Sequence, residues 1–233
     1  MYSEGNYFQD INRHIEDSKY KVEAIKKVLI NYLIDNKIEL KSYADIGCGS
    51  GEIVKLLGSE LMHKFNSLKI IKGFDISPHV KELSDELVDF DFKDFTKCTE
   101  KFDMVTLNDV FEHVPNPIDF IREVGKRAKL VVMHIPLENS FSVNVRNLQR
   151  KKIENPGHLI FLDINSAINL ITFSGLKIID YQYSKDSLKA PSNNKTFLQK
   201  IAYPIKYLFL RLNPYIYSKL FGISITVIAR GID

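Results

Sequence analysis

Apolar residues recur at three- and four-residue steps through Val22, Ile25, Val28, Leu29, Tyr32 and Leu33, a stripe that predicts an amphipathic helix running to about Leu40. The period then changes. Ser42 to Ile46 reads as a short buried strand, Gly47-Cys48-Gly49-Ser50-Gly51 as a tight turn, and Ile53, Leu56, Leu57 and Leu61 as one face of a second helix. Leu68 to Ile76 is the next strand, after which Ser77-Pro78 offers a cap and a first-turn proline for a helix carrying Val80, Leu83 and Leu87. Val88 to Phe92 and Phe102 to Leu107 follow as strands, Asn116-Pro117 opens a helix with Ile118, Ile121 and Val124, and Leu130 to Ile135 is another strand. Asp163 to Leu170 reads as a helix with Gly175 as its stop, and Leu176 to Tyr183 and Ile223 to Ala229 are rich in strand-forming residues.

Strands alternating with helices predict an α/β fold, in which right-handed crossovers put helices on both faces of a mostly parallel sheet. The pattern specifies a doubly wound, Rossmann-like sheet of seven strands, with an N-terminal helix and a C-terminal helical insertion added. A chain of 233 residues suits one such domain. Its expected parts are an N-terminal helical cap (1–40), a cofactor-binding core (41–184), a helical insertion or lid (185–222) and a last strand (223–233). Ligands of such sheets bind at the carboxyl ends of the strands.

Composition narrows the class. Hydrophobic residues make up 45% and charged residues 26%, an ordinary globular balance rather than a disordered or fibrous one. The net charge of +3 is unevenly placed: from Lys185 onward eight cations stand against two acids, leaving the remainder acidic. No continuous basic track or aromatic-basic groove motif is present, so no nucleic-acid partner is expected. Cys48 and Cys98 lie in no metal-ligand or disulfide spacing, and no metal is expected. The start of the chain lacks a signal-peptide pattern, and no apolar run reaches the ~18 residues of a membrane span, so a cytoplasmic location is expected.

The chemistry starts at Asp45-Ile46-Gly47-Cys48-Gly49-Ser50-Gly51. Glycines at a strand-to-helix turn let the backbone approach a ligand, and the helix start offers unpaired N–H groups. The spacing here is G-x-G-x-G, not the G-x-G-x-x-G of a dinucleotide fingerprint, and the loop lacks a P-loop lysine. Asp45 would repel a phosphate but could attract an ammonium group or order the loop. At the end of the second strand Asp75, followed by Ile76, places a carboxylate where two ribose hydroxyls can donate to it. Asp94-Phe95, beyond the third strand, pairs an acid with an aromatic, suited to an exocyclic amine and a purine face. A nucleoside carrying an ammonium group fits this set.

The stretch from about Ala44 to Pro136, more than a third of the chain, resembles class I S-adenosylmethionine-dependent methyltransferases. Asp45 to Gly51, including Gly47, Cys48, Gly49 and Gly51, resembles the family's first motif. Asp75 resembles its ribose-binding acid, and Asp94-Phe95 its adenine-contacting pair, with Asp91 as an alternative acid. The run from Phe102 through Asn108, Asp109, Glu112 and His113 to Pro115 is similar to the family's fourth-strand motif. The resemblance implies S-adenosyl-L-methionine as cofactor and S-adenosyl-L-homocysteine as product, and places Asn108 and Asp109 beside the cofactor's amino-acid part or the reacting methyl. Asp17 to Lys21 and Gly157-His158-Leu159-Ile160-Phe161 resemble a narrower group near the small-molecule O-methyltransferases of quinone and polysaccharide pathways.

A small-molecule acceptor, and a hydroxyl in particular, follows as the expectation. A hydroxyl acceptor benefits from a general base, for which His158 is the first candidate, followed by His113 and His134. Methylation of RNA or protein, and a non-catalytic cofactor-binding module, are the competing readings. The insertion carries a dense apolar and aromatic set between Phe197 and Phe221 with cations interleaved. It reads as helices broken at Pro204 and Pro214 that form a lid, a homodimer face or a peripheral membrane contact.

Overall fold

The structure, a computed structural model, describes residues 11–184 and 197–232. Helix α1 (Ile11–Asp35) leads into β1 (Ser42–Ile46), α2 (Glu52–Lys64), β2 (Ile70–Asp75), β3 (Asp89–Phe92) and β4 (Phe102–Asn108). There follow α3 (Pro117–Gly125), β5 (Ala128–Leu137), α4 (Phe141–Val145), α5 (Leu148–Glu154), α6 (Ile164–Phe173) and β6 (Lys177–Tyr183). The chain then passes through α7 (Phe197–Leu212) and α8 (Pro214–Phe221) into β7 (Ile223–Arg230).

All seven of these strands join one sheet in the order β3-β2-β1-β4-β5-β7-β6. The first five are mutually parallel, whereas β7 runs antiparallel to both β5 and β6. The strand order reverses between β1 and β4, and the crevice at their carboxyl ends is where such a sheet takes its ligand.

Two apolar layers sandwich the sheet. On one face Val22, Ile25, Leu29 and Leu33 of α1 and Val54, Leu57 and Leu61 of α2 pack against Tyr43, Ile71, Met104, Val132 and Ile228. On the other, Ile121 and Val124 of α3 and Ala167 and Ile171 of α6 cover Val105, Val131, Met133, Ile225 and Val227. Burial on both faces explains why β4 and β5 read as nearly continuous apolar runs.

Local capping fixes several boundaries as the sequence predicts. The Asn116 side chain accepts the Asp119 N–H with Pro117 in the first turn, and Asp163 forms a capping box with Ser166. The helix predicted after Ser77-Pro78 is absent. Only a 3₁₀ turn, Pro78–Glu82, forms there. The Asp85 carboxylate accepts the Leu87 N–H, a local bond that competes with helix continuation, and the Ser77 side chain makes no capping bond. The short helices α4 and α5 had no counterpart in the sequence pattern.

In the insertion, residues 185–196 lie outside the described residues. Pro204 does not break α7, which continues to Leu212, because an interior proline removes one backbone donor and a helix can bend around that loss. Pro214 instead begins α8, where the Asn213 side chain accepts the Ile216 N–H.

Candidate active site

The glycine loop is pinned to the end of β2. Gly47 and Cys48 both donate their N–H groups to the Phe74 carbonyl, at 2.8 and 3.1 Å. Gly47 and Gly51 hold φ of +70° and +78°, a region that L side chains avoid. A Cβ on Gly47 would lie 2.7 Å from Val110 Cγ2, and one on Gly51 would lie 2.8 Å from the Phe90 ring. The loop thus has room for neither substituent. Cys48 is buried, and burial pushes its thiol far up, which leaves it a packing group rather than a nucleophile.

Asp75 ends β2 and reaches back to this loop. Its Oδ2 accepts the Gly49 N–H at 2.8 Å while Oδ1 accepts the Ser77 N–H at 2.8 Å. Burial raises its pKa, and the backbone donors oppose that rise. A carboxylate has lone pairs for further donors, so ribose hydroxyls can add to these two bonds. Ile76, immediately after, is 52% exposed and offers an apolar surface at the same strand end.

The expected purine-contacting pair is only half available. Phe95 is 2% exposed, with its ring packed against Phe74 and Phe102 at centroid distances of 5.1 and 6.1 Å. It is a core residue with no free face for a base, a correction to the sequence reading. The aromatic cluster with Phe74 and Phe102 holds it inward. Asp94 caps the turn after β3, accepting the Thr96 N–H at 3.0 Å and its hydroxyl at 2.7 Å. Its cationic neighbour is Lys97 at 3.6 Å. Asp91 is paired with Lys72 at 3.5 Å.

The ends of β1, β4 and β5 are joined by polar contacts. Asp45, 1% exposed, accepts from Thr106 Oγ1 at 2.5 Å and from Asn108 Nδ2 at 2.8 Å. Burial pushes its carboxyl up to about 7, against the pull of those two donors. Asp45 therefore orders the strand ends beneath the loop. Asn108 keeps a buried Oδ1 that meets no hydrogen-bond donor among the described residues. Asp109 holds φ of +54°, accepts from His134 Nδ1 at 2.8 Å and pairs with Lys21 of α1 at 2.7 Å. Burial would raise it, but Lys21 and His134 outweigh burial and hold its carboxyl well below the usual carboxylate range. His134 is 2% exposed and set edge-on to Tyr20, so it positions Asp109 rather than reaching into the crevice.

A second polar cluster lies just past the same strand ends. The rings of His113 and His158 meet edge to face with centroids 4.6 Å apart. His158 Nδ1 is 2.7 Å from Glu138 Oε2, and Lys152 holds the other oxygen of Glu138 at 2.6 Å. Burial would raise Glu138, but His158 and Lys152 keep its carboxyl below its ordinary value. His113 Nδ1 is 3.1 Å from the Gly157 carbonyl, and burial lowers its pKa to about 4. Glu112, 2% exposed, is pushed well above its ordinary value by burial and then by the charges of Asp109 and Glu138. The fold thus unites two of the three candidate histidines and separates His134 from them. A cavity of about 440 Å³ between α1, β6 and α7 contains none of these residues.

A family model described as a methyltransferase domain matches residues 17–180, well over half of the chain. The chain belongs to this methyltransferase family. It is an S-adenosylmethionine-dependent enzyme of the class I fold, and the glycine loop, Asp75 and the β4 motif fall within the matched stretch. Among solved structures it is similar to magnesium protoporphyrin IX methyltransferase (ChlM) from Synechocystis PCC 6803 with bound SAH, at 13% identity and a TM-score of 0.58, covering 97% of each chain. It is also similar to the plantazolicin methyltransferase BpumL in complex with a monoazolic desmethylPZN analog and SAH, at 15% identity and a TM-score of 0.60, covering 99% of this chain and 89% of that one. A search of curated proteins finds no match.

Several residues of this methyltransferase's site escaped the sequence reading. Glu138 sits one residue beyond β5 and shows itself only through its contact with His158, 20 positions away. Thr106 is an ordinary strand residue until its hydroxyl is seen against Asp45. Lys21 had a usable signal, since its segment resembled the narrower group, but its partner Asp109 is far away in the sequence, just past β4.

Proposed function

We propose that this methyltransferase transfers a methyl group from S-adenosylmethionine to a hydroxyl oxygen of a small molecule in the cytoplasm. When bound, the cofactor supplies a methyl group activated by its sulfonium. The chain's own task is then to align the acceptor, exclude water and dispose of the hydroxyl proton. Asp75 and the Gly47–Gly51 loop would hold the ribose and the amino-acid end, and Ile76 would lie under the base. Asn108 Oδ1, a buried acceptor at the end of β4 with no donor among the described residues, suits an ammonium donor.

The observation that carries the oxygen assignment is the contact between His158 and Glu138. An imidazole oriented by an ionised carboxylate, beside a second imidazole and a buried carboxyl, is an arrangement for taking up a proton. It lies past the carboxyl ends of β4 and β5. For a simple amine acceptor no such set is needed. Transfer of labelled methyl to phenols, sugars and lipid-linked alcohols tests this directly, with RNA and protein as parallel acceptors. Methylated oxygen in a small molecule is the expected product, and transfer to macromolecules alone would sink the assignment.

The exposed face of α7 and α8 supports a further part of this reading, that the acceptor is presented at an anionic membrane surface. Ile205, Leu208 and Leu212 are 72%, 59% and 75% exposed, at helical spacing beside Lys206 and Arg211, a pattern that favours interfacial binding. No described helix is long and apolar enough to cross a membrane. Pelleting with anionic but not neutral vesicles is expected. A stable dimer that does not pelletise would assign the face to a second copy instead.

A further inference from the structure

The cavity of about 440 Å³ between α1, the end of β6 and α7 stands apart from the histidine cluster, and strand register fixes its place. Asn108 of β4 pairs with His134 of β5, His134 with Thr226 of β7, and Thr226 with Gln182 of β6. Thr226 and Gln182 line the cavity. Adjacent strands lie about 4.8 Å apart, so Thr226 stands roughly 10 Å from Asn108 along the same edge of the sheet. Ala24 and Val28, which also line the cavity, continue the face of α1 on which Lys21 meets Asp109. The cavity therefore adjoins the strand ends assigned to the cofactor.

Its walls carry cations and hydroxyls and no acid. Lys27 of α1 and Arg211 of α7 both line it, and neither Asp nor Glu does. Arg211 is exposed and meets no carboxylate among the described residues, and its guanidinium sits 5.7 Å from the Tyr207 ring one turn back along α7. A planar guanidinium presents paired N–H donors that match two oxygens of a phosphate. On the sheet side Thr226 is 1% and Ser184 6% exposed, and the hydroxyl of each is buried with no hydrogen-bond partner among the described residues. Folded chains rarely leave such groups unpaired, and a hydroxyl is free to donate to an anion. Two unpartnered hydroxyls and a guanidinium without a carboxylate, around a cavity that no acid lines, are complementary to an oxyanion.

We propose that this cavity binds a phosphate ester group, held by Arg211 and by the hydroxyls of Thr226 and Ser184, and that the methyl acceptor carries that group. The binding site stands on the cavity's own residues, and only its use by the acceptor rests on the function proposed above. The rings of Tyr181 and Tyr207 would cover the organic part of the ester. Leu208 and Leu212, exposed on either side of Arg211, extend an apolar surface along α7 from the cavity's rim, so the ester has two possible sources, a lipid headgroup and a soluble phosphate. In both the phosphate is recognised intact, and no bond to it forms or breaks. Sequence spacing could not reveal the site, because its residues come from α1, β6, α7 and β7.

Calorimetric titration of the full-length protein with phenyl phosphate, with dihexanoyl phosphatidic acid, and with phenol as the neutral control tests the site. One equivalent of a phosphate probe is expected to bind, and phenol is not. Arg211→Gln, at an exposed position, should lose roughly 10–100-fold in affinity for the phosphate probe. Thr226→Val, which keeps the side chain's shape and removes its hydroxyl, should lose about fivefold while melting no earlier than wild type without ligand, since that hydroxyl has no protein partner to lose. Tighter binding of phenyl phosphate would mark a soluble ester as the source and tighter binding of phosphatidic acid a lipid, and either result supports the site. Failure of both phosphate probes to bind the wild type, or variants that bind them as tightly as wild type, would overturn it. S-adenosylhomocysteine should bind all three proteins alike. Methylation of small-molecule hydroxyls without phosphate binding would show that the cavity assignment alone had failed, and phosphate binding without such methylation that the proposed function had.

Discussion

The carboxylate of Asp75 accepts the backbone N–H of Gly49 at 2.8 Å, so the residue read as the ribose acceptor also fastens the glycine loop to β2. This gives Asp75 two separable duties. Asp75→Ala should weaken S-adenosylhomocysteine binding by the worth of charge-assisted hydrogen bonds, about 1.5–3 kcal/mol or roughly 10–100-fold. It should also lower the midpoint of thermal unfolding. Calorimetry and a melting curve on the same variant read the two effects, and a variant that melts early yet binds like wild type would remove Asp75 from the ligand's contacts.

Gly47 makes a sharper steric claim. Its φ of +70° and the 2.7 Å approach to Val110 predict that Gly47→Ala destabilises the fold by about 1–3 kcal/mol through backbone strain and crowding. Urea unfolding checks it. Unchanged stability would mean that the loop has slack that these distances deny.

Asp45 should impose a pH dependence. Its folded pKa of about 7 stands above the ordinary carboxylate value of about 3.9. Between those values the folded state keeps a proton that the unfolded chain has lost, so its contribution falls as pH rises through the window. Asp45→Asn, which keeps an acceptor for Thr106 and Asn108, should remove that loss. Between about pH 5 and about pH 8 the stability difference should move in the variant's favour by on the order of 2 kcal/mol. A difference that stays flat across this range would show that Asp45 is ionised throughout.

The proposed function assigns the acceptor chemistry to His158 and Glu138. His158→Ala should lower kcat by roughly 10²–10⁴-fold, the usual worth of assisted proton removal, while S-adenosylhomocysteine affinity holds. Glu138→Gln should lower kcat in the same direction and change its pH profile, which a purely structural role would not do. Steady-state rates with a methylated small-molecule product are the readout.

The parts of this enzyme that were legible in the sequence are those fixed by local chemistry. The turn at Gly47–Gly51 needs positive φ, Asp75 follows a clear strand, Asn116-Pro117 and Asp163 cap their own helices, and the alternation of elements specifies the sheet. The errors and omissions arise where turn chemistry overrides the apolar pattern or where distant residues decide. Asp85 turned a predicted helix into a 3₁₀ turn and loop, and the aromatic cluster with Phe74 and Phe102 drew Phe95 inward. The Asp109–Lys21 and His158–Glu138 pairs exist only because α1 and the loops after β5 converge on the carboxyl ends of the strands. His113 and His158 could be nominated separately from their neighbours, but their edge-to-face contact, and the unpaired carboxyl of Glu112 beside it, are products of the tertiary fold.

Calorimetric titration of the wild-type protein with S-adenosylhomocysteine, with NAD in parallel, tests the central claim most directly. The G-x-G-x-G loop, the acid before it and the carboxylate of Asp75 at the end of β2 predict saturable binding of S-adenosylhomocysteine at one site per chain and no heat of binding from NAD. Folded protein that binds NAD and not S-adenosylhomocysteine, or neither, would contradict the account at its foundation.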